Sequence, residues 1–252
     1  MPIFQDPYST ENLTAARAVI ADKHKLTLAI GDECYQQLGT LLAEAQWTET
    51  PAAHAIHALA ARVFDLLSST LNLLKTGTVP AAKIITRSLL EAAYKLRALK
   101  KNEDHLGQFI ADDIATRLLL LKGFHKYKQQ KRSKTTAVGI EKQIDALTLE
   151  GAMRIDAPEW ASRAEMDDFH RLFYPWLSRE VHTNLAALSE YYLQDSDFAI
   201  EVGPSDADLP MTLVIAVRVA MAVIGVLTPP SSTEWASQLR DLDQRLGAIE
   251  AQ

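Results

Sequence analysis

Tyr174, Ser178 and His182 follow one another at four-residue intervals in the stretch FYPWLSREVHTN, residues 173–184. On a helix that interval stacks side chains on one face, so a phenol, a hydroxyl and an imidazole are expected side by side. Histidine changes charge near neutral pH and serves as general base or acid. Ser178 or Tyr174 would be its hydrogen-bonding partner, and Arg179 or Arg87 would stabilise an anion. Leu177, Val181, Leu185, Leu188 and Tyr192 form the apolar stripe of the same helix, and Ser178, His182 and Ser189 run along its edge. His182 is therefore expected at a border between core and water. The alternative is a packed histidine whose ring bonds a hydroxyl or a carbonyl. A Ser–His pair on one turn needs a third residue and an oxyanion site before it acts as nucleophile and base.

A second constellation lies in TRSLLEAAYKLR, residues 86–97. Arg87 and Glu91 are four apart, within reach of an ion pair, and Tyr94 joins their face. The apolar arc of that helix (Ile84, Ile85, Leu89, Ala92, Ala93, Leu96) points largely the other way. The pair is expected to be exposed and to contribute about 0.3 kcal/mol, unless further helices surround it. Arg218 sits inside an apolar run and needs an acid or carbonyls around it, because a buried unpaired charge is costly. Glu91 is one candidate.

Metal chemistry finds little support. Glu-x-x-His, the signature of carboxylate-bridged di-iron bundles, does not occur, and neither does His-Glu-x-x-His or a His-Asp doublet. Asp167-Asp168-Phe169-His170 places two ligand types three residues apart, and His54 and His57 have the same spacing in an Ala-rich helix where packing explains them. No metal and no cofactor is expected. Cys34 is the single cysteine, so neither an internal disulfide nor a Cys-rich zinc site can form.

Charge is unevenly distributed. The chain carries a net −6, which is not the balance of a dedicated nucleic-acid binder. Between Ile114 and Ile140 there is nevertheless no acid, while Arg117, Lys122, Lys126, Lys128, Lys131, Arg132 and Lys134 accumulate with Phe124, His125 and Tyr127 among them. Lysines and arginines neutralise phosphate and aromatics stack on bases, so Lys122, Lys126, Lys128, Lys131 and Arg132 are the candidate nucleic-acid contacts. A solvated helix end with a flexible loop is the plainer reading. From Val181 to Val217 there is no Lys or Arg, and Asp195, Asp197, Glu201, Asp206 and Asp208 gather instead. That acidic stretch could face the basic one on another subunit.

The elements that must position these groups read as helices. Helical periodicity covers 9–24, 26–46 with a break expected near Gly31, 49–77, 79–102, 102–130 and about 135–150. A loop around APEW follows, then a helix from about 165 to 194 bent at Pro175, an apolar helix over 209–227 and an amphipathic C-terminal helix opening at Ser232 and Thr233. Thr50-Pro51 and Val79-Pro80 are helix starts, and Gly77 is a stop. No strand alternation and no repeat are found. At 252 residues with 48% apolar content and 10 each of Gly and Pro, the chain can bury a large core. The expected fold is all-α: a bundle of long antiparallel helices with a short N-terminal helical layer. The organisation reads as 1–48 N-terminal layer, 49–228 bundle core and 229–252 C-terminal helix, one domain overall. Residues 211–227 approach the length of a membrane span, but Arg218 near the middle favours the central helix of a bundle, so no membrane partner is expected. The N-terminal residues lack the basic start and apolar core of a signal peptide, and a cytoplasmic setting fits.

In RSLLEAAYKL followed by YPWLSREVHTN, the chain resembles a family of uncharacterised, mostly bacterial helical proteins, the domain-of-unknown-function family numbered five-six-seven-seven. The resemblance spans roughly 50–225 and rests on Arg87, Ser88, Glu91, Tyr174, Ser178 and His182. It implies an α-helical domain with a shared site built by the two motif helices, without assigning an activity. Ribonucleases of the HEPN type use Arg-x(4–6)-His at a dimer interface. The nearest spacing here is Arg163 to His170, with Ala164 where that type has a polar residue.

Two functions follow as expectations. One is a nucleic-acid- or nucleotide-directed protein, in its sharpest form a metal-independent ribonuclease of stress response or phage defence, using His182, Ser178, Arg87, Glu91 and Tyr174. The other is a non-catalytic helical module that binds a protein partner. The amphipathic C-terminal helix and the charge asymmetry favour a homo-oligomer.

Overall fold

The structure is a computed structural model that describes residues 6–45, 48–130, 134–182, 203–228 and 232–250, without the side chains of 128–130, 134–138 and 250. The fold is all-α, and no strand occurs among the described residues. The helices are α1 (Thr10–Lys23), α2 (Lys25–Glu44), α3 (Pro51–Lys75), α4 (Val79–Lys101), α5 (His105–Gln130), α6 (Lys134–Leu149), α7 (Ala157–Arg163), α8 (Asp167–Val181), α9 (Leu209–Leu227) and α10 (Thr233–Glu250).

Start signals act where polar side chains reach orphan backbone donors. Thr50 accepts from the Ala53 amide at 3.1 Å ahead of Pro51. Gly77 ends α3 at φ +72°, and a Cβ there would lie 3.0 Å from the Ser205 amide nitrogen. That glycine lets the α3–α4 turn meet 203–208, where Ser205 donates to the Gly77 carbonyl at 2.8 Å.

α2, α3, α4 and α9 pack against one another as the central bundle. One contiguous core runs from Ile20 to Leu246 and includes α1, α7, α8 and α10. α2 is unbroken at Gly31, contrary to expectation. A Cβ at Gly31 would lie 2.6 Å from Leu71 Cδ2 and 3.2 Å from Leu213 Cδ1, so the glycine permits close approach of α3 and α9 rather than a break.

α9 is long and apolar enough to cross a membrane by length and composition, with mean hydropathy 2.2, yet it packs on α2, α3, α4 and α10. Arg218 pairs with Asp243 of α10 at 2.7 Å. No described contact joins it to Glu91. α5 and α6 form a helical hairpin whose own core is Ile114, Leu118 and Leu147 with Leu121 and Ile144.

One element packed on α4 differs from expectation. The APEW stretch is helix α7, because Asp156 accepts from the Glu159 amide at 3.0 Å and Pro158 occupies the first turn. α8 begins at Asp167 after a turn in which Glu165 has φ 53°, runs through Pro175 and is described as far as Val181. Residues 183–194 of the expected helix lie outside the described residues.

Candidate functional site

α4 and α8 run antiparallel and meet along a polar seam. Lys83, Arg87 and Glu91 recur every four residues on α4 and so share a face. Their partners descend along α8: Glu180, Ser178, Tyr174 and, opposite Tyr94, His170. Lys83 is fully buried, 2.7 Å from Asp208 and 3.4 Å from Glu180, with its ammonium 4.0 Å from the centre of the Trp176 ring. Arg97 closes the far end by donating to the carbonyls of Ala164 at 3.2 Å and Ala222 at 2.7 Å.

The middle of the seam is a knot around Arg87. Its Nε donates to Ser178 Oγ at 3.0 Å, its Nη2 bonds the Tyr174 hydroxyl, and the same Nη2 lies 3.0 Å from Glu91 Oε1. The Tyr174 hydroxyl donates to Glu91 Oε1 at 2.9 Å, and the guanidinium sits over the Tyr174 ring at 4.7 Å. Burial first, and then the bond to Glu91, pushes the Tyr174 phenol above its ordinary value. His170 stacks on Tyr174 with ring centres 4.5 Å apart, and its Nδ1 is 3.5 Å from the Tyr94 hydroxyl. Burial lowers the His170 pKa and raises that of Tyr94.

The knot opens onto a cleft of about 440 Å³ lined by Arg87, Glu91, Tyr94, Lys95, Arg154, Asp156, Trp160 and Tyr174. Asp112 of α5 builds the adjoining wall. Its carboxylate accepts from the Ile155 amide at 3.1 Å, the Trp160 indole at 3.3 Å and Lys95 at 3.2 Å. Arg154 is exposed at the rim.

Four of the residues singled out in the sequence are therefore brought together: Arg87, Glu91, Tyr174 and Ser178. The pair Arg87–Glu91 is half-buried, not exposed as its own helix suggested, because α8 covers it. His182 stands apart. α8 ends at Val181, His182 is its exposed C-terminal cap, and among the described residues no hydrogen bond joins its ring to the knot. The four-residue line ends at Ser178, because α8 stops at Val181 and His182 is already its cap, with φ −96° and ψ 3°. His170, noted in the sequence only for its spacing from Asp167 and Arg163, occupies the place beside Tyr174 that His182 was expected to fill. Arg163 bonds Gln108 and Glu159 and lies over Trp160, so no described contact pairs it with His170.

Lys122 and Lys126 are exposed on α5. The Lys128 side chain, Lys131 and Arg132 lie outside the described residues. Among the described residues no group of three or more His, Cys, Asp and Glu is placed to hold a metal ion. Cys34 is buried and its thiol is pushed up to about 12, chiefly by desolvation, which leaves it no thiolate at neutral pH.

Lys83, Lys95, Arg154 and Trp160 were missed. Lys83 extends the Arg87–Glu91 line by one turn and could have been found by following that interval backwards. Lys95 extends the same line by one turn at its other end and carries the same signal, whereas Arg154 and Trp160 reach the cleft through contacts between distant segments and left no local signal.

The model of the family of unknown function DUF5677 matches residues 53–200, and the chain belongs to that family. The matched segment contains α4, α7 and α8, and with them the whole Arg87 knot. No curated protein and no solved structure matches the chain.

Proposed function

We propose that this member of the family is a nucleotide-directed protein whose cleft between α4, α7 and α8 holds a phosphate-bearing ligand, RNA being the polymeric form of that ligand. The observation that carries the reading is the state of Arg87. Ser178, Tyr174 and Glu91 fix the guanidinium through Nε and Nη2, while Nη1 has no hydrogen-bond partner among the described residues. A guanidinium held in one orientation at a cleft is a preset phosphate ligand, because its planar fork matches phosphate oxygens and little freedom remains to be lost on binding. Lys95 and Arg154 add positive charge around the same space. A volume of about 440 Å³ falls in the small-molecule range of ~300–1,000 Å³.

The knot also supplies proton chemistry. The Glu91 carboxylate is the acceptor within reach, the Tyr174 phenol is kept protonated and is the donor, and Arg87 opposes charge building on phosphoryl oxygens. Lys122 and Lys126 on α5 would guide a longer strand by sequence-independent attraction. A cytoplasmic setting, where nucleotides and RNA are abundant, accords with this reading.

The test is binding of nucleoside monophosphates and cleavage of total RNA in a chelator, comparing wild type with Arg87→Ala and Tyr174→Phe. Binding should fall at least about tenfold in Arg87→Ala, equivalent to about 1.4 kcal/mol. Tyr174→Phe should keep binding and lose cleavage. Unchanged binding in Arg87→Ala would end the proposal.

A second reading, a module for a protein partner, is favoured by a different surface. Leu119, Leu120, Phe124 and Tyr127 of α5 are each more than half exposed. Leu120, Phe124 and Tyr127 stand at the spacing of one helix face, and a contiguous exposed apolar face marks an interaction surface. Capture of a partner that is lost on Phe124→Ser but kept in Arg87→Ala would support this reading.

A further inference from the structure

A second cavity, of about 670 Å³, lies on the other side of α4 between α3 and α5, and Glu91 and Lys95 line both cavities. These two residues are one turn apart and form a shared waist. Lys95 is pinned there: its ammonium is 3.2 Å from Asp112, 5.5 Å from the centre of the Phe109 ring and 5.9 Å from that of Trp160.

The two cavities differ in charge. The first is lined by Arg87, Lys95 and Arg154 against Glu91 and Asp156. The second is lined by Glu91, Asp112 and Asp113 against Arg62 and Lys95, and it adds the apolar surface of Phe109 and Ile110. Asp112 is spent on Lys95, Trp160 and the Ile155 amide. Asp113 is 62% exposed, and among the described residues its one partner is Arg117 at 3.7 Å. Ile110 is 50% exposed. One end of this double site thus favours an anion, and the other favours a flat, partly apolar group that carries hydrogen-bond donors.

We infer that the two cavities form one site for a nucleotide with an amino-bearing base. The phosphate lies with Arg87 and Arg154, and the base lies against Ile110 and Phe109 with its exocyclic amine on Asp113. This inference rests on the proposed phosphate role of the cleft. A carboxylate accepts from the amines of adenine and cytosine, whereas uracil presents carbonyl acceptors in the equivalent position. An aspartate at the base end therefore selects by attraction and by repulsion together.

The experiment titrates the full chain with AMP, CMP and UMP, and repeats the titration with Asp113→Asn and Arg154→Ala. AMP and CMP should bind about tenfold more tightly than UMP. Asp113→Asn should abolish most of that preference, since an amide offers both donor and acceptor, and Arg154→Ala should weaken all three alike. Equal binding of the three nucleotides, with loss in Arg154→Ala, would leave the phosphate site standing and overturn the two-cavity inference. Binding of none of them would overturn both. A base preference that survives in Asp113→Asn would also overturn the inference, because Asp113 would then not be the group that reads the base.

Discussion

α4 and α9 pack against each other at the centre of the bundle, yet they are built on opposite principles. α9 buries Leu213, Val214, Ile215, Ala216, Val217, Val219 and Ala220 in succession, and the cation in its middle, Arg218, reaches out to Asp243. α4 buries Leu89, Leu90, Ala93 and Leu96 toward the bundle but turns Lys83, Arg87 and Glu91 toward α8. Apolar burial stabilises by roughly 25 cal/mol per Å². A paired buried charge returns little net stability, because the attraction mostly offsets desolvation. The α4–α8 contact would hold at least as firmly if it were filled with leucine. Its polar content is explained better by what it does, which is to fix the register of two helices and to leave an oriented guanidinium at a cleft.

The largest expected effect tests the costly end of that contrast. Lys83→Ala would leave Glu180, whose side chain is 4% exposed, and Asp208 without their buried cation. Removing one partner of a buried pair costs about 3–5 kcal/mol, read as a shift of the urea midpoint at neutral pH. A loss below about 1 kcal/mol would mean that water already reaches the seam, and the comparison would fail there. Leu213→Ala tests the other helix. Leu213 is fully buried beside Gly31, and its truncation should cost about 2–4 kcal/mol through lost transfer energy and a residual cavity. Nucleotide binding should be unchanged per folded molecule, since α9 does not line the cleft. A binding defect in this variant would show that the two helices do not divide the work as described.

The same contrast explains what the sequence reveals. α9 is legible because nineteen residues of high hydropathy are a local signal. α3 and α4 are legible because Pro and Thr mark their starts and Gly77 must adopt positive φ. Arg87–Glu91 and Tyr174–Ser178 are legible as pairs, since four-residue spacing is also local. That the two pairs meet is not, because it depends on α8 lying antiparallel on α4, more than eighty residues away in sequence. Arg154 and Trp160 join the cleft through the Asp112 carboxylate, which pins Ile155 and Trp160 to α5. No periodicity carries that information. The APEW helix is an instructive miss: Asp156 and Glu159 already stand at the spacing of a helix start, and a proline in the first turn fits one.

A smaller effect comes from His170. Its folded pKa lies below the ordinary imidazole value of ~6.5 because burial against Tyr94 and Tyr174 disfavours the cation. The folded state therefore binds a proton less readily than the unfolded chain. Its contribution to stability is fully present above about pH 6.5 and is lost as pH falls through the lower folded value. Urea midpoints measured from about pH 7 down to about pH 5 should decline for wild type, and His170→Phe should remove part of that decline while keeping the stack on Tyr174. Parallel pH profiles would show that the ring titrates as it would in water, and the seam would then end at Tyr174.

The smallest expected effect draws the boundary of the site. His182 has the residue type and spacing of a catalytic base, but it caps α8 in an exposed position, and among the described residues its ring makes no hydrogen bond to the knot. His182→Ala should change stability by no more than about 0.5 kcal/mol, the usual range for an exposed position, and should leave nucleotide binding and any RNA cleavage as in wild type. Tyr174→Phe, two turns earlier on the same helix, should keep its melting temperature within a few degrees and lose cleavage, because it removes one hydroxyl bonded to both Arg87 and Glu91. If His182→Ala is instead the variant that loses activity, the reacting group lies at the C-terminal end of α8, and the Arg87 knot positions that end rather than the ligand. The two substitutions thus decide between a site centred on the seam and a site that the seam supports from one side.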